Sequence, residues 1–221
     1  LDVDVQKKAI ENMRDCGVEG LVVIGGNGSL AGALALHELG FSTIGIPATI
    51  DNDVSGTDLA IGVDTAINTA LEAVDRIKDT ASSHNRAFII EVMGRNSGYL
   101  ALMTGMAAGA EMVIVPEVRV SFEDILDELR QAYARGKPHF IVIVAEGATP
   151  RASTLSDYIK QSCARGGETF ESRLTVLGHV QRGGSPSAND RILATQLGSS
   201  AAEVLSQGGS GLMVGIHCGR V

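Results

Sequence analysis

The sequence predicts an α/β protein with doubly wound, mostly parallel sheets covered by helices on both faces. Three observations predict it. Short apolar runs that read as strands alternate with helical stretches along the chain. Runs such as Phe140-Ile141-Val142-Ile143-Val144 are apolar at every position, as parallel strands buried on both faces are. Glycines and polar residues gather directly after these runs, where open parallel sheets bind their ligands.

The elements follow in order. Ile10, Met13 and the following Val18 suggest an opening helix. Strands are expected at 21–25, 43–47, 87–93, 112–116, 139–145, 174–180 and 211–216. Helices are expected between them at 29–39, 64–80, 98–108, 121–135, 154–165 and 188–206. Ser121 followed by Asp124 and Ser187 followed by Asp190 are helix-start patterns, and Gly40 just past Leu39 is a helix stop.

Composition excludes several classes of function. At 221 residues the chain is long enough for one large domain or two small ones. A net charge of −8 with 4% aromatics leaves neither a basic stripe nor many stacking platforms, which argues against nucleic-acid binding. No run of about 18 apolar residues exists to span a bilayer, and no signal-peptide pattern opens the chain, so the cytoplasm is the expected compartment. Cys16, Cys163 and Cys218 are odd in number and far apart, which suggests neither a disulfide framework nor a zinc site. The 27 glycines are spread through strand-to-helix junctions and form no linker. The chain opens at Leu1 without a methionine, and a fragment of a longer protein is expected.

The chemistry is sought in the loops after the strands. In 21-LVVIGGNGSLAGA-33 a buried-strand run opens onto Gly25-Gly26-Asn27-Gly28-Ser29, where missing side chains let backbone N–H groups approach an anion at a helix start. The loop 47-PATIDNDVSGTD-58 packs Asp51, Asp53 and Asp58 around Thr49, Asn52 and Thr57; such residues also cap their own backbone in turns. After the third expected strand comes Arg95 among glycines, with Arg86 upstream; after the fifth comes Glu146; after the sixth come Arg173, His179 and Arg182. Four arginines and a histidine near strand ends of an acidic chain form a candidate cradle for a phosphorylated ligand.

These segments carry a resemblance. GGNGS at 25–29, TIDND at 49–53, GTD at 56–58, SSHNR at 82–86, EVMGR at 91–95 and LGHVQRGGSP at 177–186 resemble, in order and spacing, the 6-phosphofructokinase family, which phosphorylates fructose 6-phosphate at its 1-hydroxyl. The resemblance implies two Rossmann-like, three-layer α/β/α domains. A nucleotide-binding domain would take 1–62 and 181–207, and a sugar-phosphate-binding domain 63–180 and 208–221, each incomplete at a chain end.

It also implies roles. Asp51 is similar to the general base, Asp53 and Thr49 to the residues that orient it, and Arg95 to the residue that stabilises charge on the transferred group. Met93, Gly94 and Glu146 resemble hexose contacts, and His179 and Arg182 resemble 6-phosphate ligands. Arg86 and Arg173 resemble arginines that cross into a neighbouring subunit's site, which implies a homotetramer. Gly26, Asn27, Gly28, Ser29 and Gly32 would face ATP, with Mg2+ beside Asn27, where the family usually has aspartate. Gly28 and Ala48 are small where pyrophosphate-using relatives carry aspartate and lysine, which favours ATP as donor. Lys78, Glu111, Arg135 and Lys137 stand where the family places effector-site residues. A pyrophosphate-dependent enzyme and a non-catalytic sugar-phosphate-binding subunit are the alternatives.

Overall fold

The computed structural model describes residues 2–81, 86–137, 139–165 and 171–221. Ser82–Asn85, most of the expected SSHNR motif, lie outside the described residues. The chain divides into two compact units, Leu1–Val63 with Pro186–Val221, and Asp64–Ser185.

The first unit holds α1 (Val3–Asp15), β1 (Gly20–Gly25), α2 (Asn27–Glu38) and β2 (Ser42–Pro47), and later in the chain the long helix Ala188–Ser206 and the short strand Leu212–Met213. Its sheet is parallel, with β1 beside β2 in the register Gly20↔Ser42 to Gly25↔Pro47, and Leu212 beside Ile44. The core forms where β2, buried from Thr43 to Pro47, meets Leu193, Leu197 and Ala201 of the long helix. β1 is only half buried, and Ile24 is 63% exposed. Asp2 caps α1 by accepting from the Asp4 N–H at 3.0 Å, and Ser187 caps the long helix by accepting from the Asp190 N–H at 3.2 Å. Asp190 is itself buried, and its carboxylate takes the Gly62 N–H at 2.8 Å, tying that helix start to the segment that leaves the unit.

The second unit contains α3 (Val63–Ala81, entered from Asp64), β3 (Arg86–Val92), α4 (Tyr99–Ala108), β4 (Met112–Ile114), α5 (Phe122–Ala134), β5 (His139–Ala145), α6 (Ala152–Ala164) and β6 (Glu171–Val176). The strand order is β4-β5-β3-β6, all parallel. Phe140 to Ala145 are each fully buried, the outcome expected for a central strand covered on both faces. α4 packs on β4 and β5, α6 on β3 and β6, and α5 on β5 and α6. Ser121 Oγ accepts from the Asp124 N–H at 3.1 Å, as its spacing predicts.

With Ala188–Ser206 as α7 and Leu212–Met213 as β7, three expectations are corrected. The strand expected at 174–180 runs instead from Glu171 to Val176 and gives way to a 3₁₀ turn over Gly178–Arg182, because Gly178 takes a φ of +57°. The strand expected at 211–216 pairs only at Leu212–Met213. Residues 208–221, expected to join 63–180, belong with the first unit, because β7 pairs with β2.

Candidate active site

In the first unit two loops meet at the carboxyl edge of the sheet. α2 begins at Asn27 directly after Gly26, so Asn27, Gly28 and Ser29 form an exposed first helical turn whose N–H groups have no side-chain cap. Such a turn carries the positive end of the helix dipole and donors that suit a phosphate. Gly32 lies further along α2. The loop after β2 lies against this turn: the Ala48 N–H donates to Gly25 O at 2.9 Å, and a Cβ on Gly26 would stand 3.4 Å from Thr49 Cβ. A Cβ on Gly28 would meet nothing within 4 Å, so space remains in front of that position.

The acidic loop is tightly held. Thr49 Oγ1 accepts from the Asp51 N–H at 3.2 Å, and Asp51 is only 7% exposed, while Asp53 is exposed. Asn52 has a left-handed φ of +49°, and its side chain donates to Asp58 O at 3.2 Å and accepts from the Ala60 N–H at 2.9 Å. Thr57 Oγ1 donates to Leu59 O at 2.9 Å and accepts from the Ile216 N–H at 3.0 Å. The loop is therefore a fixed platform in which Thr49, against Gly26 at the start of α2, bonds the backbone of buried Asp51.

In the second unit the carboxyl ends of β3, β5 and β6 converge. After β3, Gly94 has a φ of +141° and Arg95 a φ of +50°. The Arg95 N–H donates to Glu146 Oε1 at 2.7 Å, and the Glu146 N–H returns to Val92 O at 2.9 Å. Gly147 is required here, since a Cβ would lie 2.0 Å from Arg95 O. Gln181, buried within the 3₁₀ turn, accepts from the Met93 N–H at 3.3 Å and donates to Gly178 O at 3.0 Å. The turn that carries exposed His179 and Arg182 is thereby bonded to Met93 and Gly94. The structure thus gathers Met93, Gly94, Arg95, Glu146 and the 178–182 turn at one end of this sheet.

Two residues missed in the sequence stand at the same end. Gln181 was hidden within a glycine-rich motif; its signal was a long amide after an apolar strand run. Glu91, next to last in β3, has its pKa raised by burial and by the nearby Glu146 carboxylate, with Arg151 opposing.

Arg86 and Arg173 are placed elsewhere, which corrects the expectation of one cradle of four arginines. Arg86 opens β3, and Arg173 lies inside β6 opposite Phe88, not after the strand. Both hold one carboxylate: Glu171 Oε2 lies 3.1 Å from Arg86 Nε, and its Oε1 lies 2.7 Å from Arg173 Nη2. The strand direction puts this pair at the opening end of the sheet, away from Arg95 and Glu146.

The four expected effector residues hold neighbours. Lys137 Nζ contacts Glu111 Oε1 at 2.8 Å, and Glu111 Oε2 accepts from the Ile141 N–H at 2.8 Å. Burial opposes the charge on Glu111, yet the Lys137 and Ile141 bonds carry its pKa below the ordinary value. Arg135 pairs with Glu128 at 3.1 Å, and Lys78 donates to Ala108 O at the end of α4.

Parallel sheets with glycine-rich and acidic loops at their carboxyl edges place the chain among doubly wound α/β proteins. The sequence pattern of the family described as Phosphofructokinase matches residues 2–205, and the chain belongs to the phosphofructokinase family. It is 53% identical over 216 residues to an ATP-dependent 6-phosphofructokinase of Listeria welshimeri, covering 98% of this chain and 66% of the relative. An ATP-dependent 6-phosphofructokinase of Bacillus mycoides is 50% identical over 216 residues, with the same coverage. The crystal structure of Pichia pastoris phosphofructokinase in the T-state matches with a TM-score of 0.84 and 36% identity, over 97% of this chain and 27% of that one. A pyrophosphate-dependent phosphofructokinase of Marinobacter aquaeolei matches with a TM-score of 0.79 and 27% identity, over 96% of this chain and 58% of that one. The chain spans about two thirds of the length of the curated relatives it matches.

Proposed function

We propose that the protein to which this chain belongs is an ATP-dependent 6-phosphofructokinase, transferring the terminal phosphoryl group of ATP to the 1-hydroxyl of fructose 6-phosphate to give fructose 1,6-bisphosphate and ADP in glycolysis. The observation that carries this reading is the contact between the open first turn of α2 and the loop of Thr49 and Asp51. A phosphate held by the N–H groups of Asn27, Gly28 and Ser29 would lie beside the loop that carries buried Asp51, and phosphoryl transfer depends mainly on such positioning. The ATP-dependent relatives at about half identity support the choice of donor. The small Gly28 and Ala48 favour it as well.

In this reading Asp51 accepts the proton of the attacking hydroxyl, with Thr49 fixing its backbone and Asp53 beside it. Arg95 stabilises charge on the transferred group, its backbone set by Glu146. Met93, Gly94 and Glu146 take the hexose, and His179 and Arg182 its 6-phosphate. Arg86 and Arg173, set at the other end of their sheet, serve a neighbouring subunit of a homotetramer. The oxygen of Asn27, exposed in the first turn of α2, suits a hard cation, and Asn27 is the residue that would hold Mg2+ with the nucleotide. Bound there, Mg2+ would neutralise phosphate charge. Lys78, Glu111, Arg135 and Lys137 would line an effector site. No described helix is long and apolar enough to cross a membrane, and a cytoplasmic location fits the reaction.

The full-length protein should form fructose 1,6-bisphosphate with ATP and not with pyrophosphate. Asp51→Ser should lower kcat by about 10²–10⁴ with little change in KM for the sugar phosphate, the range for loss of a general base. Product from pyrophosphate alone, sugar binding without product from either donor, or full turnover in Asp51→Ser each overturns the reading.

A further inference from the structure

Among the described residues, one group of metal-ligating side chains combines three chemistries and takes no part in the proposed reaction. Asp58 sits at the far end of the acidic loop, and His217 and Cys218 sit in the tight turn 217–220, closed by the His217 N–H to Arg220 O at 2.7 Å and the Arg220 N–H to His217 O at 3.0 Å. The Asp58 carboxylate already joins the two segments. Its Oδ1 lies 3.2 Å from His217 Nδ1, and its Oδ2 accepts from the Cys218 N–H at 2.6 Å. One carboxylate oxygen, one imidazole nitrogen and the Cys218 sulfur all lie within 4.8 Å of one another, and all three residues are exposed.

We propose that Asp58, His217 and Cys218 form a binding site for a thiolate-preferring divalent transition metal of the Zn2+ and Co2+ class. Sulfur, nitrogen and carboxylate oxygen are the ligands this class selects, whereas Mg2+ and Ca2+ take oxygen alone. Tetrahedral ligands of such an ion stand about 3.3–3.8 Å apart, so a contraction of about 1 Å closes the set. The exposed imidazole and thiol reach that spacing by side-chain rotation, since neither is packed in a core. On binding, the bond between Asp58 Oδ1 and His217 Nδ1 is exchanged for bonds from each to the metal. The Cys218 thiol releases its proton to solvent as the metal–sulfur bond forms, and water fills the fourth position. No electron is transferred.

The backbone supports the arrangement. Cys218 holds a left-handed φ of +48°, and the Asp58 N–H donates to Ile216 O at 2.7 Å, so both segments arrive at the cluster already paired. Asp58 O also accepts from Asn52 Nδ2 at 3.2 Å, which links the cluster to the loop that carries Asp51.

The test uses the full-length protein. Titration with Co2+ should produce thiolate-to-metal charge-transfer absorption, and competition against a chromogenic chelator in excess Mg2+ should show Zn2+ bound. Cys218→Ser should abolish the absorption and weaken Zn2+ binding on the order of tenfold or more, and His217→Ala should weaken it by a similar factor. Cys16→Ser, which alters another exposed thiol, should leave both signals intact. Because residues 217 and 218 are exposed, both variants should keep the parent's circular dichroism. Absence of the absorption, Zn2+ affinity unchanged in Cys218→Ser, or loss of the signals in Cys16→Ser overturns the proposal.

Discussion

Asn52 and Asp51, adjacent in one loop, show how neighbouring residues take different parts in one turn. Asn52 does what the Asp-Asn-Asp sequence does in many turns: it adopts a left-handed φ and bonds local backbone. That frees Asp51 to be buried beside Thr49. Gly147 plays a comparable part in the second unit, where its bare Cα lets the loop after β5 touch Arg95. Gly147→Ala puts a methyl 2.0 Å from Arg95 O, so the backbone must move. It should destabilise the protein by about 1–3 kcal/mol, read from the denaturant midpoint. In the full-length protein kcat should fall on the order of tenfold to a hundredfold, since Arg95 is misplaced. An unchanged midpoint would show that this contact is slack.

At the scale of elements, paired charges tie β4 and β5 together while burial strains the end of β3. Glu111, just before β4, takes the Ile141 N–H of β5 and the Lys137 ammonium. Its folded pKa lies below the ordinary 4.5, so its stabilisation is complete above that value and lost as pH falls through the folded one. Glu111→Ala leaves the Ile141 N–H without this acceptor and should cost about 1–2 kcal/mol at neutral pH. The sign reverses at Glu91, whose folded pKa is raised by burial first and by Glu146 second. Its ionised form opposes folding, so its contribution worsens as pH rises from 4.5 through the raised value. Glu91→Gln should therefore stabilise at neutral pH, and Glu111→Ala should flatten the acid side of the stability profile. Thermal unfolding across pH 3–8 checks both, and a Glu91→Gln protein less stable than the parent at neutral pH would contradict the assignment.

For the molecule as a whole, much of the fold could be read from the sequence because parallel strands buried on both faces announce themselves as apolar runs. β5 was located to the residue at both ends for that reason. The reading failed where one apolar run crosses a bend: Leu174 to Val180 reads as a strand, yet Gly178 turns the backbone and creates the segment that carries His179. It failed again at β7, because a two-residue strand leaves no periodicity to say which sheet it joins, and only its pairing with Ile44 and Gly45 decides. The site was legible as a set of loops. The position of Arg173 inside β6, near the opening end of the sheet beside Arg86, was not, since that depends on where β6 begins.

The two units also differ in how deeply their sheets are buried, and this should govern where the protein opens. In the second unit β3 and β5 lie between other strands, and Ile89, Ile90, Ile141 and Val142 are fully buried. In the first unit, β1 pairs on one side only among the described residues, and it is half buried except at exposed Ile24. Local opening needs little apolar exposure there, whereas exposing the β3–β5 amides needs the whole second core to open. Amide hydrogen exchange should therefore be slowest at Ile89, Ile90, Ile141 and Val142 and faster at Leu21 to Ile24. A difference of about 2 kcal/mol in opening free energy corresponds to roughly thirtyfold in rate. The experiment belongs on the full-length protein with and without nucleotide: a phosphate held at α2 should slow exchange at Gly26 to Ser29 and leave β3 and β5 unchanged. Equal rates in β1 and β5 without nucleotide would mean that the protein opens as one unit.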